Sequence, residues 1–273
     1  MTRIIAIANQ KGGVGKTTTC INLAASLAHI KRRVLVIDLD PQGNATTGSG
    51  INKTELAYTI GEVLLEEVSI QSAIQTKTVG NYHLLPANRQ LTRAEINLLK
   101  MDGRELRLRQ ALSVLTLQYD YILIDCPPSL NMLTVNAFVA ATSIMITMQC
   151  EYYALEGLSD LMATIKQIQT SVNPTLQIEG ILRTMYDARS CLTQDVTDQL
   201  TEHFGDKLYR TAIPRNIRLA EAPSFGQPAL LYDRKSPGAQ AYLILAGEML
   251  GKHEKADREK QKPVAALAED EMA

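Results

Sequence analysis

The chain has 273 residues, of which 45% are hydrophobic and 21% are charged, and its formal net charge is −1 at pH 7. This length and composition allow a full hydrophobic core, which excludes a wholly disordered protein. The near-zero net charge excludes the strongly basic class of nucleic-acid-binding proteins, so any affinity for DNA has to come from a local patch.

Neither the hydropathy of the chain nor its cysteines indicate secretion or membrane insertion. The apolar run at residues 4–8 is too short for a signal peptide, and no stretch approaches the roughly 18 apolar residues of a membrane span. The four cysteines, at positions 20, 126, 150 and 191, form no C-x-x-C pair, so neither a zinc site nor a redox dithiol is indicated. The sequence therefore predicts a cytoplasmic protein with reduced, mostly buried thiols.

Short runs rich in Ile, Val and Leu alternate with helical patterns along the chain. The runs are residues 4–8, 34–37, 121–124, 144–148 and 178–182. Runs of this length are typical of parallel strands that are buried on both faces. Together with apolar helical faces at residues 20–28 and 158–168, they predict an α/β fold with a doubly wound, mostly parallel sheet flanked by helices.

A single domain is expected over residues 1–251. Residues 43–120 have weaker strand patterns and are expected to contain helices around residues 59–65 and 104–117. From residue 252 onward the sequence has mixed charges and an Ala/Glu-rich end that support no core. Residues 252–273 are therefore expected to form a disordered charged tail.

A glycine-rich loop follows the first predicted strand and precedes a predicted helix. It comprises Lys11, Gly12, Gly13, Val14, Gly15, Lys16, Thr17 and Thr18. Small residues let backbone N–H groups surround phosphate oxygens, and the helix adds the positive end of its dipole. Lys16 is expected to reach the β- and γ-phosphates, Thr17 to bind Mg²⁺, and Thr18 to contact the α-phosphate region. The strict G-x-x-x-x-G-K-[ST] pattern fails only at its first position, where this chain has Gln10. The loop nonetheless predicts a P-loop NTPase.

Three aspartates stand at the carboxyl ends of predicted strands, where α/β sheets bind ligands. Asp38 and Asp40 follow the run 34–37, and Asp125 follows the run 121–124 in the manner of a Walker B motif. If the strand continues through both, Asp38 and Asp40 point the same way. One could then lie near Mg²⁺ through water while the other positions the attacking water, and Asp125 is expected to hold the magnesium shell.

Lys11 is a second lysine, early in the loop, where the ordinary pattern requires no particular residue. This arrangement resembles the deviant Walker A motif of the ParA/MinD family of ATPases. Residues 149–157, 184–189 and 213–223 are similar to the chromosomal ParA/Soj branch of that family rather than to MinD. The resemblance extends over nearly the whole predicted domain.

The resemblance implies a weak Mg²⁺-dependent ATPase that forms a homodimer with ATP sandwiched between its subunits. Lys11 would reach the nucleotide of the facing subunit, so Lys11, Lys16 and Asp40 become the catalytic candidates. Asp40 would serve hydrolysis and Asp38 the metal environment. Pro214 and Asn216 match positions that flank the adenine in the family, where a proline packs on the base and an amide reads its edge.

The resemblance also implies partners. The ATP-bound dimer would bind double-stranded DNA without sequence preference through Arg189 and Arg218, and hydrolysis stimulated by a ParB-type centromere-binding protein would release it. A nucleoid-associated protein of the cytoplasm is thus expected, with a chromosomal or plasmid role left open. The sequence itself supports DNA binding only through a group of arginines in a short span, and such arginines often simply lie on a solvent-exposed surface or form surface ion pairs. These arginines are Arg183, Arg189, Arg210, Arg215 and Arg218.

Three other readings compete with this one. A MinD-like ATPase would bind membrane through an amphipathic C-terminal helix, but the tail lacks the basic and aromatic face that such a helix needs, so no membrane partner is expected. An iron–sulfur carrier would need cysteines placed to bridge a cluster between subunits. A nucleotide-bound scaffold without turnover is the third alternative.

Overall fold

The computed structural model of the protein describes residues 2–115 and 118–261. The described strands are β1 (Arg3–Ala8), β2 (Val34–Asp38), β3 (His83–Leu85), β4 (Tyr121–Asp125), β5 (Ser143–Gln149) and β6 (Gln177–Thr184). They form one sheet in the order β3-β2-β4-β1-β5-β6, and every neighbouring pair is parallel. The carboxyl ends of all these strands therefore lie along the same edge of the sheet.

Helices connect the strands and cover both faces of the sheet. In the described residues they are α1 (Lys16–His29), α2 (Asn44–Gly48), α3 (Ile60–Leu64), α4 (Ile70–Ala73), α5 (Gln90–Leu98), α6 (Arg107–Ser113), α7 (Met132–Ala140), α8 (Ala154–Ser171), α9 (Cys191–Phe204), α10 (Ile217–Glu221), α11 (Ala229–Tyr232) and α12 (Pro237–Gln261). Short 3₁₀ turns lie at Arg104–Leu106, Gly205–Lys207 and Ala222–Phe225.

The sheet separates two hydrophobic cores. One core lies between the sheet and helices α3–α9, and the other lies between the sheet and helices α1 and α12. Alternate side chains of one strand enter opposite cores, as Ile5 and Ala6 of β1 do. This two-sided burial explains why the strands read as continuous apolar runs.

The predicted strands are all present, and β3 is the additional one. The helix expected around 59–65 is α3, whose N-terminus is fixed by a capping box between Thr59 and Glu62. The segment expected to be helical from residue 104 begins as a 3₁₀ turn, and α6 ends at Ser113. Residues 116 and 117 lie outside the described residues.

The expected domain boundary at residue 251 does not coincide with the end of helical structure. Helix α12 runs on to Gln261. Within its last three turns His253 is buried and hydrogen-bonded to Tyr121 and Glu179, which attaches this part of the helix to the rest of the domain. Residues 262–273, the rest of the expected tail, lie outside the described residues. Within 2–115 and 118–261, no helix has the length and apolarity needed to cross a membrane.

Candidate nucleotide site

The glycine-rich loop lies between β1 and α1 at the carboxyl edge of the sheet. Gly13 and Gly15 have φ angles of 74° and 82°, a left-handed conformation that favours glycine. Val14 is buried between them, and its carbonyl oxygen accepts a hydrogen bond of 2.9 Å from the hydroxyl of Thr184 at the end of β6. The loop is therefore held in shape by the sheet before any ligand binds.

The side chain of Lys16 folds back over this loop. Its Nζ donates a 2.9 Å hydrogen bond to the carbonyl oxygen of Lys11, and the residue is only 7% exposed. Burial lowers the pKa of Lys16, although the nearby carboxylate of Asp125 opposes that shift. The Lys16 ammonium is largely removed from water, so an anionic phosphate group held by the loop would stabilise its charged form.

Thr17 and Asp125 form the candidate metal site. The Thr17 hydroxyl donates a 2.7 Å hydrogen bond to Oδ2 of Asp125, while Oδ1 of the same carboxylate is buried with no hydrogen-bond partner among the described residues. Burial raises the pKa of Asp125 well above its usual value, and the neighbouring Asp38 raises it further. A hydroxyl beside an uncompensated carboxylate oxygen suits a hard divalent cation, so these residues fit Mg²⁺.

Asp38 differs from Asp125 in that protein groups already satisfy its carboxylate. Its Oδ2 accepts hydrogen bonds of 2.7 Å from both the backbone N–H and the hydroxyl of Thr46, and its Oδ1 accepts one of 3.2 Å from the N–H of Asp40. Burial raises the pKa of Asp38 to about 6. Strand β2 ends at Asp38, so Asp40 lies in the turn that follows and does not share a strand face with it. The metal role of Asp38 stays a prediction.

Lys11 points away from its own loop. Its ammonium forms an ion pair with the carboxylate of Glu151, which lies between β5 and α8, and the Lys11 side chain is 49% exposed. The two lysines of the loop thus have different surroundings, since Lys16 is buried over the loop and Lys11 is at the surface.

A cleft of about 260 Å³ adjoins the loop and contains the predicted base-binding residues. Pro214 and Asn216 line it together with Gly15, Thr18 and Tyr242. The side-chain Oδ1 of Asn216 is buried without a hydrogen-bond partner among the described residues, so this amide oxygen has unused acceptor capacity beside the cleft. The structure therefore brings the predicted base and phosphate contacts into one continuous site.

The predicted DNA-contacting arginines are exposed and paired with acids of the same chain. Arg189, 90% exposed, donates two 2.9 Å hydrogen bonds to the carboxylate of Asp187. Arg218 pairs with Glu221 at 2.8 Å and with Asp233 at 3.3 Å.

Not all of the arginines that the sequence suggested as a local surface patch are exposed. Arg210 and Arg215 are exposed, but Arg183 is buried. Its guanidinium donates to the carbonyl oxygens of Tyr209 and Arg210 and lies over the ring of Tyr186. Arg183 therefore has a structural role and contributes nothing to a surface patch.

Three residues of the site had no role in the sequence-based prediction, namely Thr46, Glu151 and Thr184. Thr184 and Glu151 belong to segments that carry the family resemblance, so their position in those segments was the available indication. Thr46 follows the acidic segment closely. Glu151 and Thr184 act through partners that are distant in sequence, which no local pattern reveals. Thr46 bonds both to the nearby Asp38 and to the more distant Ala87.

Comparison with known proteins adds independent information. A family model described as an AAA domain matches residues 2–178. The chain is 52% identical to the sporulation initiation inhibitor protein Soj of Bacillus subtilis, over 91% of this chain and 98% of that protein. It is 50% identical to the chromosome partitioning protein ParA of Caulobacter vibrioides, over 92% and 94% respectively. Among solved structures, cobyrinic acid a,c-diamide synthase of Mycobacterium smegmatis with bound ATP analog and magnesium matches with a TM-score of 0.82 and 38% identity, over 94% of this chain and 97% of that one.

The glycine loop between β1 and α1, with Lys16 folded over it and Asp125 beside it, defines a P-loop nucleotide-binding protein. Its parallel sheet flanked by helices confirms the predicted fold class. The chain belongs to the ParA/Soj family of chromosome-partitioning ATPases, which confirms the resemblance drawn from its sequence.

Proposed function

We propose that the protein is an ATP-driven switch for DNA segregation. ATP and Mg²⁺ join two copies of the chain in a sandwich dimer, and the dimer binds double-stranded DNA without sequence preference. Hydrolysis, stimulated by a ParB-type centromere-binding protein, then releases the DNA. The Soj and ParA relatives support the partitioning role.

The observation that carries this proposal is the different placement of the two loop lysines. Lys16 is buried over its own loop, where its ammonium would contact a phosphate bound by the same subunit. Lys11 is surface-exposed, and among the residues that the structure describes its ammonium pairs with Glu151, an interaction of the kind that contributes little to stability. Its exposure supports the proposal that Lys11 completes the phosphate site of a facing subunit.

The remaining site residues have distinct tasks in this proposal. Thr17 and Asp125 would hold Mg²⁺, which when bound neutralises charge on the phosphates. The loop N–H groups and Lys16 orient the γ-phosphate, and Asp40 orients the attacking water. Asp40 is only partly buried, and its Oδ1 accepts a 2.9 Å hydrogen bond from the N–H of Gln42. Positioning of this kind provides most of the catalysis in phosphoryl transfer.

The cleft beside the loop supports adenine as the base. The unpartnered Oδ1 of Asn216 is an acceptor, and adenine presents an exocyclic amino group where guanine presents a carbonyl oxygen. Pro214 adds an apolar surface at the same cleft. The related M. smegmatis structure contains an ATP analog and magnesium, which supports the same nucleotide here.

Arg189 and Arg218 are the proposed contacts to DNA, and the nucleoid is the proposed location. Both guanidinium groups are exposed and could exchange their carboxylate partners for DNA phosphates. A dimer doubles the number of such contacts, and phosphate contacts add up with a strong dependence on salt. No membrane partner is proposed.

Sedimentation velocity combined with DNA-binding anisotropy tests the proposal. With ATP and Mg²⁺ the protein should sediment as a dimer and bind random-sequence duplex DNA, and with ADP it should do neither. Turnover should rise when a ParB-type partner is added. A protein that dimerises with ATP but floats with anionic lipid vesicles and ignores DNA would contradict the proposal, as would DNA binding that does not depend on the nucleotide.

A further inference from the structure

The turn that carries Asp40 connects β2 to α2 and is tied to the rest of the molecule at a few defined points. A carboxylate that orients a water molecule must be held to within a fraction of an ångström, which an unsupported turn cannot do. The groups that hold this turn are therefore candidates for an indirect role in hydrolysis.

The carboxylate of Asp38 fastens both ends of the turn. Its Oδ1 accepts the N–H of Asp40 at 3.2 Å, and its Oδ2 accepts the N–H and the hydroxyl of Thr46 at 2.7 Å each. Asp38 and Thr46 are both completely buried. The two residues thus close the segment that contains Asp40 into a loop with fixed ends.

Thr46 also ties this loop to the segment after β3. Its Oγ1 accepts a 2.9 Å hydrogen bond from the N–H of Ala87, while its hydroxyl proton goes to Asp38. Gly43 lies at the same contact, since a Cβ built there would be 2.7 Å from the carbonyl oxygen of Ala87. The turn therefore packs directly against Ala87, and the Thr46 hydroxyl is the side-chain group that spans the contact.

We propose that Thr46 is a positioning residue for ATP hydrolysis, which acts by holding the Asp40 turn through Asp38 and Ala87. This inference rests on the proposed role of Asp40. Thr46 itself contacts neither the phosphate loop nor the base cleft in the described contacts. Its loss should therefore affect the rate of hydrolysis more than the binding of nucleotide.

The Thr46→Val variant tests the inference, because valine keeps the shape of the side chain and removes only the hydroxyl. Asp38 then lacks one donor and the N–H of Ala87 lacks its acceptor. We expect kcat for ATP hydrolysis with duplex DNA to fall about 10- to 100-fold, since small displacements of a positioning group have effects of that size. The KM for ATP and the affinity for a non-hydrolysable ATP analogue should change less than about twofold.

Thr46→Ser should restore most of kcat, because serine keeps the hydroxyl.

Ser49→Ala is the matched control. Ser49 lies at the end of α2, and its buried hydroxyl bonds to the carbonyl oxygen of Ala45 and to the hydroxyl of Tyr82, not to Asp38. This variant should lower the melting temperature by an amount similar to Thr46→Val and leave kcat unchanged. If Thr46→Val does not fold, Thr46→Cys, which has only a weak S–H donor, replaces it with the same expected loss.

A double variant separates this inference from the proposed function. If Thr46 acts through Asp40, then Thr46→Val should add nothing to the defect of Asp40→Ala in single-turnover hydrolysis. Full additivity, an unchanged kcat in Thr46→Val, or an equal loss in Ser49→Ala would overturn the role of Thr46 while leaving Asp40 in place. Normal hydrolysis by Asp40→Ala would instead overturn the assignment of Asp40, and the inference with it.

Discussion

The ammonium of Lys11 is paired with the carboxylate of Glu151, a residue 140 positions further along the chain. Both side chains are about half exposed, so the pair is weak and can exchange with other charges. In the proposed dimer the same ammonium would reach the phosphates of the facing subunit. In that dimer, Glu151 would compete with the nucleotide for Lys11.

Removal of the Glu151 charge should favour the dimer. Glu151→Gln leaves Lys11 without its intramolecular partner, so ATP-dependent dimerisation should become tighter by about two- to fivefold, the range expected for an exposed ion pair. Sedimentation equilibrium with ATP and Mg²⁺ measures the change. Glu156→Gln, at an exposed glutamate five residues further on, is the control and should leave dimerisation unchanged. Weaker dimerisation of Glu151→Gln would indicate that the pair supports the interface instead of competing with it.

Substitution of the two loop lysines should block different steps, namely nucleotide binding for Lys16 and dimerisation for Lys11. Lys16→Ala removes the buried ammonium that lies over the loop, so nucleotide affinity should fall at least about 100-fold, as expected when a desolvated charge contact to phosphate is lost. Lys11→Ala should keep nucleotide affinity within about threefold, because an exposed lysine contributes little within one subunit, yet it should no longer dimerise. Titration calorimetry and sedimentation velocity measure the two steps. Equal losses of nucleotide affinity in both variants would contradict the division of roles.

The proposed DNA surface predicts a change in salt dependence. Arg189→Ala and Arg218→Ala should each weaken binding to random-sequence duplex DNA while sparing the ATP-dependent dimer. Each variant removes one cation per subunit, so the slope of log affinity against log salt should decrease by about 2 for the dimer. Anisotropy titrations at several salt concentrations give the slope.

Arg93→Ala serves as the control for this series. Arg93 is an exposed arginine of α5, outside the segment that contains Arg189 and Arg218. It should leave both the DNA affinity and the slope unchanged. Asp187→Asn should have the opposite effect from Arg189→Ala, because it releases the guanidinium from its bidentate partner. A wild-type slope for Arg218→Ala would show that this surface does not contact DNA.

Most of the fold could be predicted because the information for it is local. Continuous apolar runs mark the buried strands, and the glycines with Lys16 mark the turn from β1 into α1. Strand β3 was missed because it has only three residues, His83–Leu85, and lies at the edge of the sheet. So short a strand has no periodic pattern, and its pairing with β2 is what defines it.

The site was less predictable, because several of its contacts depend on residues far apart in sequence. The position of Asp38 at a strand end was evident, but its complete satisfaction by Thr46 and Asp40 was not. The spacing of the arginines likewise did not separate Arg183 from Arg189, although one is buried and the other is exposed. Burial and partner choice are properties of the tertiary fold that spacing in the sequence does not contain.

A hydrogen-bond network around the buried carboxylate of Glu179 fixes helix α12 to the sheet. The network includes His253, which lies in the segment that was expected to be a disordered tail. Oε1 of Glu179 in β6 is 2.8 Å from Nε2 of His253 in α12, and the Tyr209 hydroxyl donates to the same oxygen at 3.1 Å. Ser143 donates to Oε2 at 2.8 Å, and Nδ1 of His253 lies 2.9 Å from the Tyr121 hydroxyl. These hydrogen bonds and the charge of His253 outweigh burial and lower the pKa of Glu179 from 4.5 to about 2.

This depressed pKa makes stability depend on pH in a defined window. Because the carboxylate is favoured in the folded state, Glu179 contributes stability above about pH 4.5 and loses it as the pH falls toward 2. The contribution at pH 5 is roughly 3 kcal/mol, of which about 2 kcal/mol should be lost by pH 3. Glu179→Gln should therefore be less stable than wild type at pH 5, and the difference should shrink by that amount at pH 3. Urea unfolding across this range measures it, with Glu202→Gln, at an exposed glutamate of α9, as the control. A constant difference between Glu179→Gln and wild type from pH 5 to pH 3 would mean that Glu179 does not anchor α12 as a carboxylate.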